Sequence, residues 1–105
     1  MKNEKQEFKN RTKYIRGKND GNGSYYTKVS NQLINDNELD FLQVGLMTYL
    51  LSHSDSFVVS KKTIFKSSGF GKVVFDRAWK GLVDNGYLEV VRFQGGVEWV
   101  IREEP

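Results

Sequence analysis

The chain contains no cysteine and a single histidine, His53. The missing cysteines exclude a disulfide framework and any metal site built from thiolates, and one histidine cannot form a multi-histidine site. No serine–histidine–aspartate, paired-carboxylate or metal-ligand constellation is visible in the sequence. We therefore find no basis for an enzyme and predict neither a metal nor another cofactor. His53 is expected to be a surface or capping residue near a helix end.

Long apolar runs are also missing. The longest fall far short of the roughly 20 residues that a membrane-spanning helix needs. The first residues are rich in Lys, Asn and Glu and contain no apolar stretch, so they do not resemble a secretory signal. We therefore expect a cytoplasmic protein without membrane contact, and 105 residues suit one domain with a modest core.

Positive charge is concentrated at the start of the chain. Residues 1–25 carry seven basic and three acidic side chains, a net charge of +4, whereas residues 26–105 carry nine and ten, a net charge of −1. Residues 1–24 lack apolar periodicity and end in GKNDGNGS, which predicts a flexible basic arm ahead of a domain at 25–105. Such an arm either touches a polyanion or is a solvated tail. Its candidate contacts to a phosphate backbone are Arg11, Lys13, Arg16 and Lys18.

Residue patterning predicts an α+β domain. Three helices are predicted, at 41–54, at 61–68 and from about Gly71 to the stop signal Asn85-Gly86. Asp36 and Asp40 are candidate N-caps of the first of these helices, and Ser60 of the second. Four extended segments are predicted, at 25–30, 57–59, 87–93 and 97–103.

The segment Gly69-Phe70-Gly71-Lys72 raises the question of a phosphate-binding loop. Such a loop requires a glycine where Lys66 stands and a hydroxyl residue where Val73 stands. The segment is better interpreted as a turn, in which Gly69 ends one helix with a positive φ, Phe70 fills the core and Gly71 begins the next helix. In that next helix, apolar residues recur at helical spacing on an inward face: Phe75, Ala78, Trp79, Leu82 and Val83.

The last two strands are predicted to form a hairpin around Gly95-Gly96. With these two glycines as the loop, Arg92 faces Trp99, and Glu89 faces Arg102 as an ion pair. The same register places one apolar set on a single sheet face: Leu88, Val90, Trp99 and Ile101. Two helices joined by a Gly-containing turn and followed by a β-hairpin make a winged helix-turn-helix, here with a three-helix core and a short N-terminal strand.

In such a fold the last helix has one face in the core and one face free for the major groove of DNA. The outward residues of this helix are Gly71, Lys72, Val73, Asp76, Arg77 and Lys80. Arg77 can form a bidentate pair with guanine, which gives about 1–3 kcal/mol of discrimination. Asp76 either accepts a hydrogen bond from a cytosine amine or pairs with Lys72 or Lys80 on the helix surface.

The hairpin and the second helix supply further candidate contacts. Arg92, Gln94 and Gly95 lie near the hairpin tip, where Arg92 either touches DNA or stacks on Trp99 as a cation–π pair. For Lys61 and Lys62, at the start of the second helix, phosphate contact and a solvated face are equal alternatives. Five aromatic residues are interpreted as packing rather than as a base-stacking platform: Tyr49, Phe57, Phe65, Phe70 and Trp79.

Four features of the chain carry a family resemblance: the lead-in YTKVSN, Gly45 within GLMTYLLS, the turn GFGK, and Arg77-Ala78 followed by KGLVDNGYLE. With them, the chain from Tyr26 to about Glu89 resembles the helix-turn-helix domain of proteins from Gram-positive plasmids, conjugative elements and phages. Similar domains begin plasmid replication initiators and DnaD-like primosomal proteins. The chain departs from that pattern at Phe65 and Ser68, whose volumes offset each other, and at Gly71, where the family often has a capping hydroxyl.

The resemblance implies a protein that binds double-stranded DNA at a defined site of a mobile genetic element. It would act in replication, conjugative transfer or transcription control, with two copies on a palindromic or repeated site. The alternative is a winged helix that binds replication or transfer proteins and scaffolds a complex without reading sequence. The net charge of −1 over residues 26–105 keeps this alternative open, because many DNA-binding domains are strongly basic.

Overall fold

The computed structural model, which describes residues 9–16 and 26–105, has four helices and one three-stranded sheet in those residues. The helices are α1 (Asn31–Ile34), α2 (Phe41–Leu51), α3 (Lys61–Ser68) and α4 (Lys72–Asp84). The strands are β1 (Lys9–Ile15), β2 (Leu88–Phe93) and β3 (Gly96–Arg102), and β3 lies between β1 and β2. The α+β class is confirmed. Among the described residues, none of the helices could cross a bilayer.

The predicted helices begin where their capping residues indicate. Asp40, rather than Asp36, starts α2 with a capping box, because its carboxylate accepts the N–H of Gln43 while the Gln43 side chain accepts the N–H of Asp40, both at 2.8 Å. Ser60 starts α3, and Gly69 ends it in the left-handed conformation with a φ of 77°. These local signals were sufficient to place α2 and α3, although α2 ends at Leu51, three residues earlier than predicted.

Two predicted extended segments are not strands. Residues 26–30 and 57–59 contain no strand, so the predicted N-terminal strand at 25–30 was wrong over the described part. Ser30 instead begins α1, where its Oγ accepts the N–H of Gln32 at 3.1 Å and its own N–H donates to the Glu103 carboxylate at 2.6 Å. The Ser30 N–H is therefore bound by a side chain and not by a β-ladder.

The third strand of the sheet, β1, which pairs with the hairpin, comes from the segment that was predicted to be a flexible arm. β1 pairs in parallel with β3, from Lys9 opposite Gly96 to Ile15 opposite Arg102. The prediction of a flexible arm over residues 1–24 was therefore wrong for β1, and residues 1–8 and 17–24 lie outside the described residues. The edge of β3 that was left open in the predicted hairpin is occupied by this strand.

Side chains near the end of β1 attach it to the end of α2 and to the segment that follows α2. The hydroxyl of Tyr14 donates to the Phe57 carbonyl at 2.9 Å. The Arg16 guanidinium donates to the carbonyls of Leu51 and His53, at 2.9 and 2.7 Å, and pairs with the Asp55 carboxylate at 3.0 Å. Arg16 thereby satisfies carbonyls at the end of α2, where a helix has no hydrogen-bond donors of its own.

Because Tyr14 is half-buried against the rest of the fold, the stability of the protein should decrease at alkaline pH. Burial of the phenol raises the pKa of Tyr14 from 10.0 to about 12, although nearby Arg16 acts to lower it. A raised pKa in the folded state means that the phenol's contribution is intact below pH 10 and is lost as the pH rises through about 12. Urea unfolding at stepped pH should therefore show stability falling across this window.

The matched variant for this measurement is Tyr14→Phe, which keeps the ring and cannot ionise. Its stability should fall less steeply with pH than that of the unsubstituted chain. Tyr87 should add to the loss of stability at alkaline pH in both proteins. Burial, and then its hydrogen bond to Asp36, raise the pKa of Tyr87 as well. Identical pH dependence in both proteins would rule out Tyr14 as the cause.

The hairpin forms with a register that differs from the predicted one by two residues. Phe93 pairs with Gly96, so the turn is Gln94-Gly95, and Gly95 has a φ of 92°. Gly96 cannot serve the turn because it lies in the ladder, where a β-carbon would collide with the Lys9 carbonyl oxygen of β1. A shift of two residues keeps every side chain on its predicted face. For the same reason the predicted ion pair between Glu89 and Arg102 forms, at 2.8 Å, although the two are not direct partners.

The inward face of α4 supplies much of the core. Phe75, Ala78, Trp79 and Leu82 are buried as predicted, whereas Val83 was wrongly assigned to this face and is 36% exposed. Trp79 stacks against Phe75, with ring centroids 5.7 Å apart, and meets Trp99 of β3 edge-on at 5.4 Å. Because this face packs against the sheet and the other helices, the opposite face of α4 is directed to solvent.

Candidate functional site

The outer face of α4 carries the residues that the sequence singled out as DNA-reading. Lys72, Val73, Arg77 and Lys80 are exposed, and Asp76 is half-buried among them. The residue before the helix, Gly71, provides no side-chain hydrogen bond to the N–H groups of the first turn. The face therefore combines three cations, one apolar side chain that is 70% exposed, and helix N–H groups without a side-chain cap.

Asp76 is engaged by lysines on two helices. Its carboxylate accepts a hydrogen bond from Lys72 at 2.8 Å and lies 3.4 Å from the ammonium of Lys61 on α3. The hydrogen bond from Lys72, and secondarily that from Lys61, lowers the pKa of Asp76. Of the two alternatives for Asp76, the structure has the lysine pair. Lys80 pairs instead with Asp84, one turn further along, at 2.8 Å.

Arg77 stands between these two ion pairs. Its side chain is exposed and makes no hydrogen bond or ion pair with the part of the chain that the structure describes. Beside it runs a shallow hollow that also contacts Lys80 and the segment after α1, including Glu38 and Asp40. Arg77 is thus an uncommitted guanidinium at the centre of the α4 face.

The two lysines that open α3 differ in their surroundings. Lys61 is held by Asp76 and lies 5.9 Å from the centre of the Trp79 ring, so its ammonium is not simply solvated. Lys62 is exposed and has no partner among residues 9–16 and 26–105. Only Lys62 therefore matches the picture of a solvated cation at the start of α3.

The hairpin tip is joined by the basic side chains of β1. Arg92 and Gln94 are exposed there, and the Lys9 N–H donates to the Gly95 carbonyl at 2.7 Å. Stacking of Arg92 on Trp99, one of the two alternatives for this residue, does not occur in the described structure, where Arg92 lies opposite Val97. Instead Arg11 of β1 covers the Phe93 ring, with its guanidinium carbon 4.2 Å from the ring centre. Lys9, Arg11 and Lys13 are all exposed on the outer face of the sheet.

The sequence reasoning found Arg11 and Lys13 but missed Lys9. The signal was present in the spacing, since cations at every second residue share one face of a strand. Arg16 does not belong to this group, because its side chain is only 11% exposed and is held at the end of α2. Lys18 lies outside the described residues. The outer face of the sheet is therefore basic through β1.

The contribution of β1 changes the charge of the folded unit. The described residues carry thirteen basic and ten acidic side chains, a net charge of +3. Residues 26–105 alone have a net charge of −1. A folded unit that includes β1 is thus more basic than the predicted domain, and the added charge lies on the sheet face next to the hairpin tip.

The aromatic residues are partly core and partly surface. Trp79 is buried, Phe65 packs edge-on against Phe75 at 5.3 Å, and Phe57 stacks on His53 at 3.8 Å, as expected of packing residues. The prediction that Phe70 fills the core was wrong, because Phe70 is 46% exposed in a groove between α2 and α3, and Tyr49 is 41% exposed beside it. The backbone N–H of Phe70 donates to Ser68 Oγ at 3.1 Å, which stabilises the turn.

His53 occupies the helix-end position that the sequence indicated. Its Nδ1 lies 2.8 Å from the Tyr49 carbonyl, at the end of α2. Within residues 9–16 and 26–105, no three histidine, aspartate or glutamate side chains gather closely enough to hold a metal ion. Comparisons of the chain with family models, with curated proteins and with solved structures give no match.

Proposed function

We propose that the protein is a winged-helix protein that binds double-stranded DNA, with α4 as its recognition helix. In this proposal α3, the turn at Gly69 and α4 form the helix-turn-helix, and the β2–β3 hairpin is the wing. The observation that carries the proposal is the exposed, uncommitted Arg77 on the outer face of α4, with Lys72 and Lys80 one turn to either side. An arginine in this position can reach the O6 and N7 acceptors of a guanine in the major groove.

The ion pairs on α4 do not prevent such binding. Pairs between exposed side chains four residues apart contribute only about 0.3–0.5 kcal/mol each. Lys72 and Lys80 are about three-quarters exposed, so either can exchange its carboxylate for a DNA phosphate. The N–H groups at the start of α4, without a side-chain cap after Gly71, are a further favourable position for a phosphate.

The sheet provides a second contact region in this proposal. The strand β1 widens the wing to three strands and places Lys9, Arg11 and Lys13 on its outer face, whereas Arg92 lies on the opposite face near the hairpin tip. These cations would bind phosphates and fix the orientation of the protein rather than read bases. Binding through them would release counterions and would therefore weaken as salt concentration increases.

The biological setting of the proposal comes from the resemblance described for YTKVSN, GLMTYLLS and the GFGK turn. A helix-turn-helix protein of a plasmid, conjugative element or phage would use such binding in replication, conjugative transfer or transcription control. It would work in the cytoplasm, with two copies on a palindromic or repeated site, since a single module of this size covers a limited stretch of DNA.

A second candidate function is favoured by one observation. The apolar groove between α2 and α3, with Phe41, Tyr49 and Phe70 exposed at its rim, is the kind of surface by which a winged helix can scaffold a replication or transfer complex. In that case the protein would contact partner proteins and would not read sequence. The two candidates differ in whether naked DNA of one sequence is preferred.

Selection of bound fragments from a random duplex library, at roughly physiological salt, tests the proposal directly. We expect enrichment of one short motif, present twice in the best fragments at a spacing near one or more helical turns. The binding constant for the enriched site should fall with salt, with a slope that reflects several phosphate contacts. Flat recovery across all sequences would contradict sequence-specific binding and would favour the scaffold.

A further inference from the structure

An apolar groove of about 520 Å³ lies on the surface between α2 and α3. Its walls include Leu42, Leu46 and Ile64, and Phe70 closes one side. The polar groups among its lining side chains are the hydroxyls of Tyr49, Ser67 and Ser68, and no charged residue of the described chain lines it. An uncharged hollow of this kind, on a chain with 28% charged residues, is a surface that another apolar group can occupy.

Phe41, the first residue of α2, projects from the rim of this groove. Its side chain is 95% exposed, which makes it the most exposed of the large apolar residues described. Tyr49, two turns along α2, is 41% exposed on the same rim. The groove and the exposed Phe41 ring, which could fill such a groove on another molecule, therefore lie side by side on one surface.

Gly45 lies on α2 between these two aromatic residues and also lines the groove. A β-carbon added at this position would meet nothing within 4 Å, so no internal contact requires a glycine. A glycine in a helix interior is unfavourable relative to alanine. One physical reason for it is the close approach of another chain to the helix backbone.

We propose that this groove docks a second copy of the chain, with Phe41 of each copy inserted into the groove of the other about a two-fold axis. A two-fold interface uses the same surface on both copies, so that surface must contain both the projecting group and the hollow that receives it. Phe41 and the groove satisfy this requirement. The missing charge in the lining also lets two chains of net charge +3 meet here without direct repulsion.

The exposed area indicates a weak interface. One aromatic side chain buries about 150–250 Å², so two copies of Phe41 with parts of Tyr49 and Phe70 remain below the roughly 1,200 Å² of a stable complex. The two copies would therefore separate at low concentration. Held on neighbouring DNA half-sites, they would meet at a high effective concentration, and this is where the contact would act.

Sedimentation equilibrium of the full chain without DNA, from about 10 µM to about 1 mM, tests the proposal. We expect a monomer–dimer equilibrium within this range. Phe41→Ser should weaken association at least about tenfold, because it removes the inserted ring without touching the core. The matched control is Val91→Ser, which removes a 40%-exposed apolar side chain from the outer face of the sheet and should leave association unchanged.

Gly45→Ala provides a second, independent variant. An alanine has room in the free chain and favours the helix, so the melting temperature should rise by about 4 °C while self-association weakens. A variant that is both more stable and less associated cannot be explained by damage to the fold.

The proposal would be overturned by a chain that remains monomeric over the whole range, or by a Phe41→Ser variant that associates as the unsubstituted chain does. A monomeric chain that binds some other protein through the groove would overturn it as well. This proposal builds on paired DNA sites, but the measurement contains no DNA. Failure of the library selection and failure of self-association are therefore separate results.

Discussion

Replacement of Arg77 by alanine is expected to weaken binding to the selected DNA site by about tenfold to a hundredfold, equivalent to about 1–3 kcal/mol. The same change should relax the preference at one base pair. The reason is that Arg77 is the cation on the α4 face without a protein partner in the described structure, so its guanidinium is available for a base edge. Fluorescence anisotropy titrations of the enriched site and of single-base variants measure both effects.

Two controls separate base reading from general charge. Lys80→Ala should weaken binding to all sequences alike and reduce the salt slope by about one, as expected for a phosphate contact. Thermal melting of Arg77→Ala should match that of the unsubstituted chain, because the substitution removes no internal hydrogen bond or ion pair. Unchanged affinity and unchanged base preference in Arg77→Ala would exclude α4 as the recognition helix.

Deletion of residues 1–16 is expected to destabilise the fold by about 3 kcal/mol or more. β3 would lose its parallel ladder with β1 along its whole length, and the core would lose the half-buried ring of Tyr14. The Arg16 guanidinium would no longer satisfy the Leu51 and His53 carbonyls at the end of α2. Urea unfolding monitored by tryptophan fluorescence measures the change.

The charge on β1 can be tested without removing the strand. The double variant Lys9→Gln, Lys13→Gln should keep the stability of the unsubstituted chain, because both side chains are exposed, and should lower the salt slope of DNA binding by about two. A deletion that leaves stability intact would show that β1 is not part of the core structure. A double variant with an unchanged slope would remove the outer sheet face from the DNA interface.

Local sequence signals account for the parts of the fold that were predicted well. The caps Asp40 and Ser60, the terminating Gly69 and the apolar spacing after Phe75 act within a few residues, and each leaves a readable pattern. The sheet faces of the hairpin residues were also predicted correctly, because successive side chains of a strand alternate between the two faces. A register error of two residues could therefore leave the predicted ion pair between Glu89 and Arg102 intact.

The failures arise where distant segments meet. The parallel partner of β1 lies at the other end of the chain, and no turn signal announces such a pairing. Gly96 resembled a turn residue next to Gly95, although its real constraint is the close approach of the Lys9 backbone. Phe70 was assigned to the core because of its spacing in the sequence, and only the packing of α2 and α3 shows that it lies at the surface.

In the candidate site, too, the features set by local spacing could be predicted and those set by contacts between separate elements could not. The outer face of α4 follows from helical period, and the pairing of Asp76 with Lys72 follows from their spacing. The contact of Asp76 with Lys61 could not be predicted, because it requires the relative position of α3 and α4. The sequence also could not show that Arg16 is absent from the basic surface. Its side chain is held by His53 and Asp55, in the segment after α2, which is distant in sequence.

The pairing of β1 with β3 also has a consequence for the order in which the chain folds. During synthesis β1 is made before every helix, whereas its only strand partner in the described structure, β3, is made after all of them. The sheet can therefore close only after nearly the whole described chain has been produced, and contacts of such long sequence separation slow folding. Until then Tyr14 and Ile15 have no strand beside them, so the basic residues of β1 would keep this waiting segment hydrated.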